Sequence, residues 1–180
     1  MNTQTSVDDV ETLHHLQTLG IEERIRNNRI ENVKTILVIL SSRAVAFDID
    51  SLKQKIRMTY PGAKVYFEST QAYPVGERAP KKLDLVIDFT GPLQRHKWFY
   101  ARQLRSRARV LVGRNAWFLR EHLYDRIYKE QAHDLPADLL EREKFVQKEV
   151  LELAGVPVST QGILGPDLGK KIALTLPPLK

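Results

Sequence analysis

The sequence predicts an α/β fold: a Rossmann-like parallel sheet flanked by helices, with a helical appendage at its amino end. Three observations carry this. TILVIL at 35–40 and LVI at 85–87 are apolar on both faces, as central parallel strands are. Apolar, β-branched runs alternate with helix-length segments from about residue 35 to 155. Gly and Pro fall between the runs, as in Pro61-Gly62 and Gly91-Pro92, rather than within them.

Taken in order, residues 1–32 read as a helical appendage. Asp8, Asp9 and Glu11 lie where a helix dipole favours acids, and Val10, Leu13, Leu16 and Leu19 follow helical spacing. Gly20 is placed to end that helix, leaving Glu22–Asn32 as a second short helix or a linker. The α/β domain spans 33–156. Thr35–Leu40 is its first strand, and Asp50–Tyr60 a helix with Leu52 and Ile56 inward, stopped by Pro61-Gly62. Lys64–Glu68 is the second strand, 71–82 a surface connection, and Leu83–Phe89 the third strand. A helix over Gln94–Ser106 and a fourth strand at Arg109–Val112 follow. Asn115–Gln131 is expected to be helical, with Phe118, Leu119, His122, Leu123 and Ile127 on one face. Asp134 is placed to cap the last helix, with Pro136 in its first turn and Leu139, Val146, Val150 and Leu153 on one face. Gly155 suits the position after that helix, and Pro157 prevents continuation. Residues 157–180 form an irregular tail, with a short strand possible by pattern at 171–176.

Composition bounds the function. With no Cys, disulfides, thiolate metal sites and thiolate nucleophiles are excluded. The first residues lack a basic n-region and an apolar h-region, so an intracellular, cytoplasmic protein is expected. Net charge is +6, and no acid occurs between Asp88 and Glu121. That window holds Arg95, Lys97, Arg102, Arg105, Arg107, Arg109, Arg114 and Arg120, a field suited to phosphate, carboxylate or anionic headgroups. On a helix Arg95, Arg102 and Arg105 fall within about 80° of one another. The aromatics of WFYARQLRSRAR between them keep RNA in view as a partner. The plainer reading is a solvated basic helix face.

Ser41, Ser42 and Arg43 follow the first strand and can hold an anion beside a helix start, although Ser pairs more often cap turns. The glycines of a dinucleotide fingerprint and the Lys of a P-loop are missing, and no cofactor is expected. Asp48, Asp50 and Asp88 are the carboxylates available for acid–base work. The structural reading makes Asp50 a helix cap and Asp88 a strand-end turn residue. The five His are scattered, and no metal site is expected.

From Lys34 to Leu179 the order of segments resembles the amino-terminal half of the lipopolysaccharide heptosyltransferase family, glycosyltransferase family nine. The pieces are TILVILSS, MTYPGAKVYF, LDLVIDFTGPLQRHKWFYARQLRSRARVLVGRN, HLYDRIY and EREKFVQKEVLELAGVPV. The resemblance implies one GT-B half on the acceptor side, facing an anionic saccharide or lipid-linked acceptor at the inner face of the cytoplasmic membrane. Ser41, Ser42, Arg43, Asp88, Arg95, Arg102 and Arg105 are the ligand-binding residues expected from charge and resemblance together. The family's first loop carries an Asp proposed as catalytic base, and Val45 stands at that position here. Asp48 and Asp50 are its nearest substitutes. The chain also stops near where the linker to a donor-binding half would lie, so residues 157–180 resemble an interdomain linker. The expectation is a half-enzyme, non-catalytic alone or dependent on a donor-domain protein partner. A nucleic-acid-binding or protein-interaction domain is the alternative.

Overall fold

The computed structural model describes residues 20–40, 49–69, 79–90, 97–114, 121–129 and 136–158. Five strands form one parallel sheet: β1 (Thr35–Leu40), β2 (Lys64–Ser69), β3 (Leu83–Asp88), β4 (Ala108–Arg114) and β5 (Arg126–Tyr128). Their order is β2-β1-β3-β4-β5. Helix α1 covers residues 20–28. Helices α2 (Ile49–Thr59), α3 (Lys97–Arg107) and α4 (Leu139–Leu153) complete the described helices, and a single 3-10 turn, Glu121–Leu123, precedes β5. The Rossmann-like α/β architecture expected from the sequence is present.

The sheet forms because its central strands have nothing to expose. Ile36, Leu37, Val38 and Ile39 of β1 and Leu85, Val86 and Ile87 of β3 are fully buried. The two strands pair in register from Ile36↔Leu85 to Ile39↔Asp88. Side chains alternate between two cores. Ile36, Val38, Leu85, Ile87 and Val112 meet α2 and α4 through Leu52, Ile56, Val146 and Val150. Leu37, Ile39, Val86 and Leu111 meet α3 through Ala101 and Leu104. Each fully buried Leu or Ile contributes about 1.5–3 kcal/mol. The split follows from topology. Winding runs from β1 outward to β2, then turns back through β3 to β4, and right-handed crossovers put α2 and α3 on opposite faces.

The segment before β1 is bound firmly to this layer. Tyr60 Oη donates to Ala154 O at 2.6 Å and accepts from Ile30 N at 3.3 Å. Arg126 donates through one nitrogen to the carbonyls of Asn28 and Leu153, closing the ends of α1 and α4 together. Gly155, at φ +72°, lies so close to residues 28–29 that a Cβ there would sit 2.8 Å from Arg29 Cα. Arg24 of α1 pairs with Glu149 and with the buried Glu152 of α4.

Four expectations need correction. Residues 121–129 are not helical: they hold the 3-10 turn and β5, which pairs with β4 from Val112↔Arg126 to Arg114↔Tyr128. Asp125 explains this locally, since its backbone N–H donates to Leu111 O and its carboxylate accepts from Leu111 N, holding the chain extended beside β4. Gly20 lies within α1 rather than ending it. The cap of α4 is Asp138, whose Oδ1 accepts from the backbone N–H of Leu140 and Glu141, and Pro136 precedes the helix. Leu139, in the first turn, is 76% exposed, whereas the buried face is built from Val146, Gln147, Val150 and Leu151. Asp134, the tail strand at 171–176 and the helical spacing of residues 10–19 lie outside the described residues.

Candidate ligand-binding edge

In an open parallel sheet the natural crevice lies outside the carboxyl ends of the strands, where strand order reverses. Here that point falls between β1 and β3. Asp88 ends β3 beside it and is fully buried. Its Oδ1 accepts from Thr90 N at 2.9 Å and from Thr90 Oγ1 at 2.5 Å, an Asx turn that starts the loop after the strand. Its Oδ2 accepts from Tyr124 Oη at 2.6 Å. Tyr124 reaches Asp88 by crossing Gly113, the β4 residue in register with Asp88. A Cβ at Gly113 would meet the Tyr124 ring at 2.3 Å.

On the other face Arg114 ends β4 and binds Glu143 of α4 through two parallel contacts of 2.6 and 3.0 Å. Its side chain is 7% exposed. A planar fork held on both nitrogens is well oriented and costs less to keep ordered than a lone surface pair. The edge is therefore floored by two prepared polar groups, Asp88 on the α3 side and Arg114 on the α4 side. Glu68, also buried, is the penultimate residue of β2 on the same face as Asp88, and both are in register with Ile39. At about 4.8 Å per strand the two positions lie about 10 Å apart.

Chemically, Asp88 is a positioning group. Three internal donors occupy its oxygens, and a general base must reach its substrate within hydrogen-bonding distance. Asp88 fixes the direction in which the chain leaves β3.

Of the residues expected to form the site, Ser41, Ser42, Arg43, Val45, Asp48 and Arg95 lie outside the described residues. Asp50 is exposed in the first turn of α2, where the helix dipole favours an acid. Arg102 is exposed on α3. Arg105, in the last turn of α3, pairs with Asp125. Because α3 returns from the carboxyl edge to the amino edge, Arg105 sits about 12 Å along the axis from the end that follows β3. Asp88 and Arg105 are thus not brought together.

The acid-free window is balanced from elsewhere in the chain. Arg107 donates to the carbonyls of Ala79 and Pro80, Arg109 to those of Glu31 and Asn32, and Arg114 to Glu143. Sequence reasoning missed Thr90, Tyr124 and the Arg114–Glu143 pair. Two signals were available: Asp-x-Thr after a strand is an Asx turn, and a Gly inside a strand marks close approach of another group.

Among the described residues no cluster of three or more His, Asp or Glu is placed to hold a metal, and no helix is long and apolar enough to cross a membrane. No protein-family model, curated protein or solved structure matches the chain.

Proposed function

We propose that this chain is a heptosyltransferase-like, acceptor-side α/β domain that binds an anionic saccharide or lipid-linked acceptor at the carboxyl edge of its sheet. The observation that carries the reading is the reversal of strand order at β1/β3, with the Asp88-anchored turn of LDLVIDFTG opening beside it. The segment resemblance points to the same edge, and Arg102 is a solvent-exposed arginine on the helix that follows β3.

Binding rather than transfer is favoured by the acids. Val45 stands where the family carries its base, and both oxygens of the buried Asp88 accept from internal donors. Transfer would require a donor-binding half, with the assembly at the cytoplasmic face of the membrane. Calorimetric titration of the full chain with a phosphorylated core saccharide and, separately, with nucleotide-sugars tests this. Saccharide binding that Arg102→Ser weakens, without nucleotide-sugar binding, is the expected result. Nucleotide-sugar binding, or binding of neither ligand, would overturn the proposal.

A further inference from the structure

A cleft of about 530 Å³ opens at the opposite, amino edge of the sheet. Its walls come from the end of α1 and the residues leading to β1, and from Thr59, Tyr60 and Pro61 at the end of α2. Two guanidiniums, Arg26 and Arg29, line it against one acid, Glu31. Arg29 is oriented by a 3.0 Å hydrogen bond from one nitrogen to Thr59 O, leaving the rest of its fork for another acceptor. Arg26 is exposed and has no ion-pair partner among the described residues. Arg109 approaches the same turn from β4, donating to Glu31 O at 2.5 Å. Asn32, at the turn, holds a left-handed φ of 54°.

The surroundings extend the same charge. Lys34 immediately precedes β1 and Lys64 starts the neighbouring β2; a 2.8 Å backbone hydrogen bond joins them, and both are exposed. Arg57 is exposed in the last turn of α2. Helix carbonyl ends would ordinarily repel an anion here. The carbonyls of Thr59 and Asn28 are already capped by Arg29 and Arg126, which removes much of that opposition.

We infer that this amino-edge cleft is a second binding site, separate from the carboxyl edge, for a small ligand bearing phosphate groups. Its size falls in the range of small-molecule pockets, about 300–1,000 Å³. Forked guanidiniums on a concave wall favour a compact multidentate oxyanion. A concave site also favours one ligand over a flat polyanion, because the field is focused into the cleft.

The test is calorimetry of the full chain with sodium tripolyphosphate at fixed ionic strength. The expected result is one-to-one binding, weakened about tenfold or more by Arg26→Ser, the loss of a charge-assisted contact. Arg29→Lys keeps charge but loses the fork, and weakens binding similarly. Because Arg29 also holds Thr59, its variant is read only beside an unchanged unfolding midpoint, and Arg26→Ser decides on its own. Binding that Arg26→Ser leaves unchanged would overturn the assignment, as would no binding at millimolar tripolyphosphate. Vesicles of phosphatidylcholine with phosphatidylglycerol form the second arm. Vesicle binding sensitive to Arg26→Ser, without tripolyphosphate binding, would replace the small ligand by a lipid surface. Saccharide bound at the carboxyl edge should not displace tripolyphosphate in a competition titration, so failure here is distinguishable from failure at the carboxyl edge.

Discussion

A Cβ at Gly113 would lie 2.3 Å from Tyr124 Cε1 and 2.8 Å from Cδ1, while the far end of that ring is held by Asp88. The ring cannot yield without giving up its hydrogen bond, and the buried carboxylate would then lose one of three donors. Gly113→Ala is therefore expected to cost about 1–3 kcal/mol in urea unfolding. Gly20→Ala is the control: nothing lies within 4 Å and the residue is helical, so a gain of about 0.4–1 kcal/mol is expected. Equal effects at the two glycines would show that Tyr124 is not braced on Asp88. This also marks how far the site was legible. Asp88 stood out because an acid closing an apolar strand is conspicuous. Tyr124 lies 36 positions away, and only the β4 register brings it over Gly113.

At the scale of elements, β1 and β3 were readable because a strand buried on both faces is written as an uninterrupted apolar run, and β2 and β4 from the shorter runs Val65–Phe67 and Val110–Val112. β5 was not. Arg126–Tyr128 is three residues long, and its place is set by Asp125 clasping Leu111, a contact with no local pattern. Helix α4 follows its apolar pattern at Val146, Val150 and Leu153, but Leu139 is exposed and the polar Gln147 and Glu152 are buried. An amphipathic count does not see the ion pairs of the buried Glu152 with Arg24 and Lys148. The cap of α4 is local and testable. Asp138→Ala removes the acceptor for two backbone N–H groups and should cost about 1 kcal/mol, read as a lower urea midpoint at unchanged m-value. No change would mean the helix starts without that cap.

Across the whole molecule, two titrating groups bracket stability, and both act on the seam leading into β1. Partial burial works to raise the Asp84 pKa, but hydrogen bonds from Lys34 N and from the Thr35 hydroxyl and amide, with the Arg109 charge, outweigh it and hold the carboxyl below 3.8. Its stabilisation is present above the unfolded value and lost as pH falls through the lowered folded one. Burial pushes the Tyr60 phenol above 10.0, against the Ile30 amide and the charges of Arg126 and Arg29. That contribution is full below pH 10.0 and lost as pH rises through the raised value. Asp84→Asn should flatten the acid limb of a stability–pH curve and Tyr60→Phe the alkaline limb. Unaltered limbs would show that the seam is not what titrates. The same seam has a topological corollary. Asn28 O and a Cβ at Gly155 would be 2.9 Å apart, so the polypeptide between them leaves and returns at one point. A unit with abutting ends can be reopened elsewhere and rejoined as a circular permutant, or spliced as a cassette into one surface loop of an unrelated carrier, without stretching a strand.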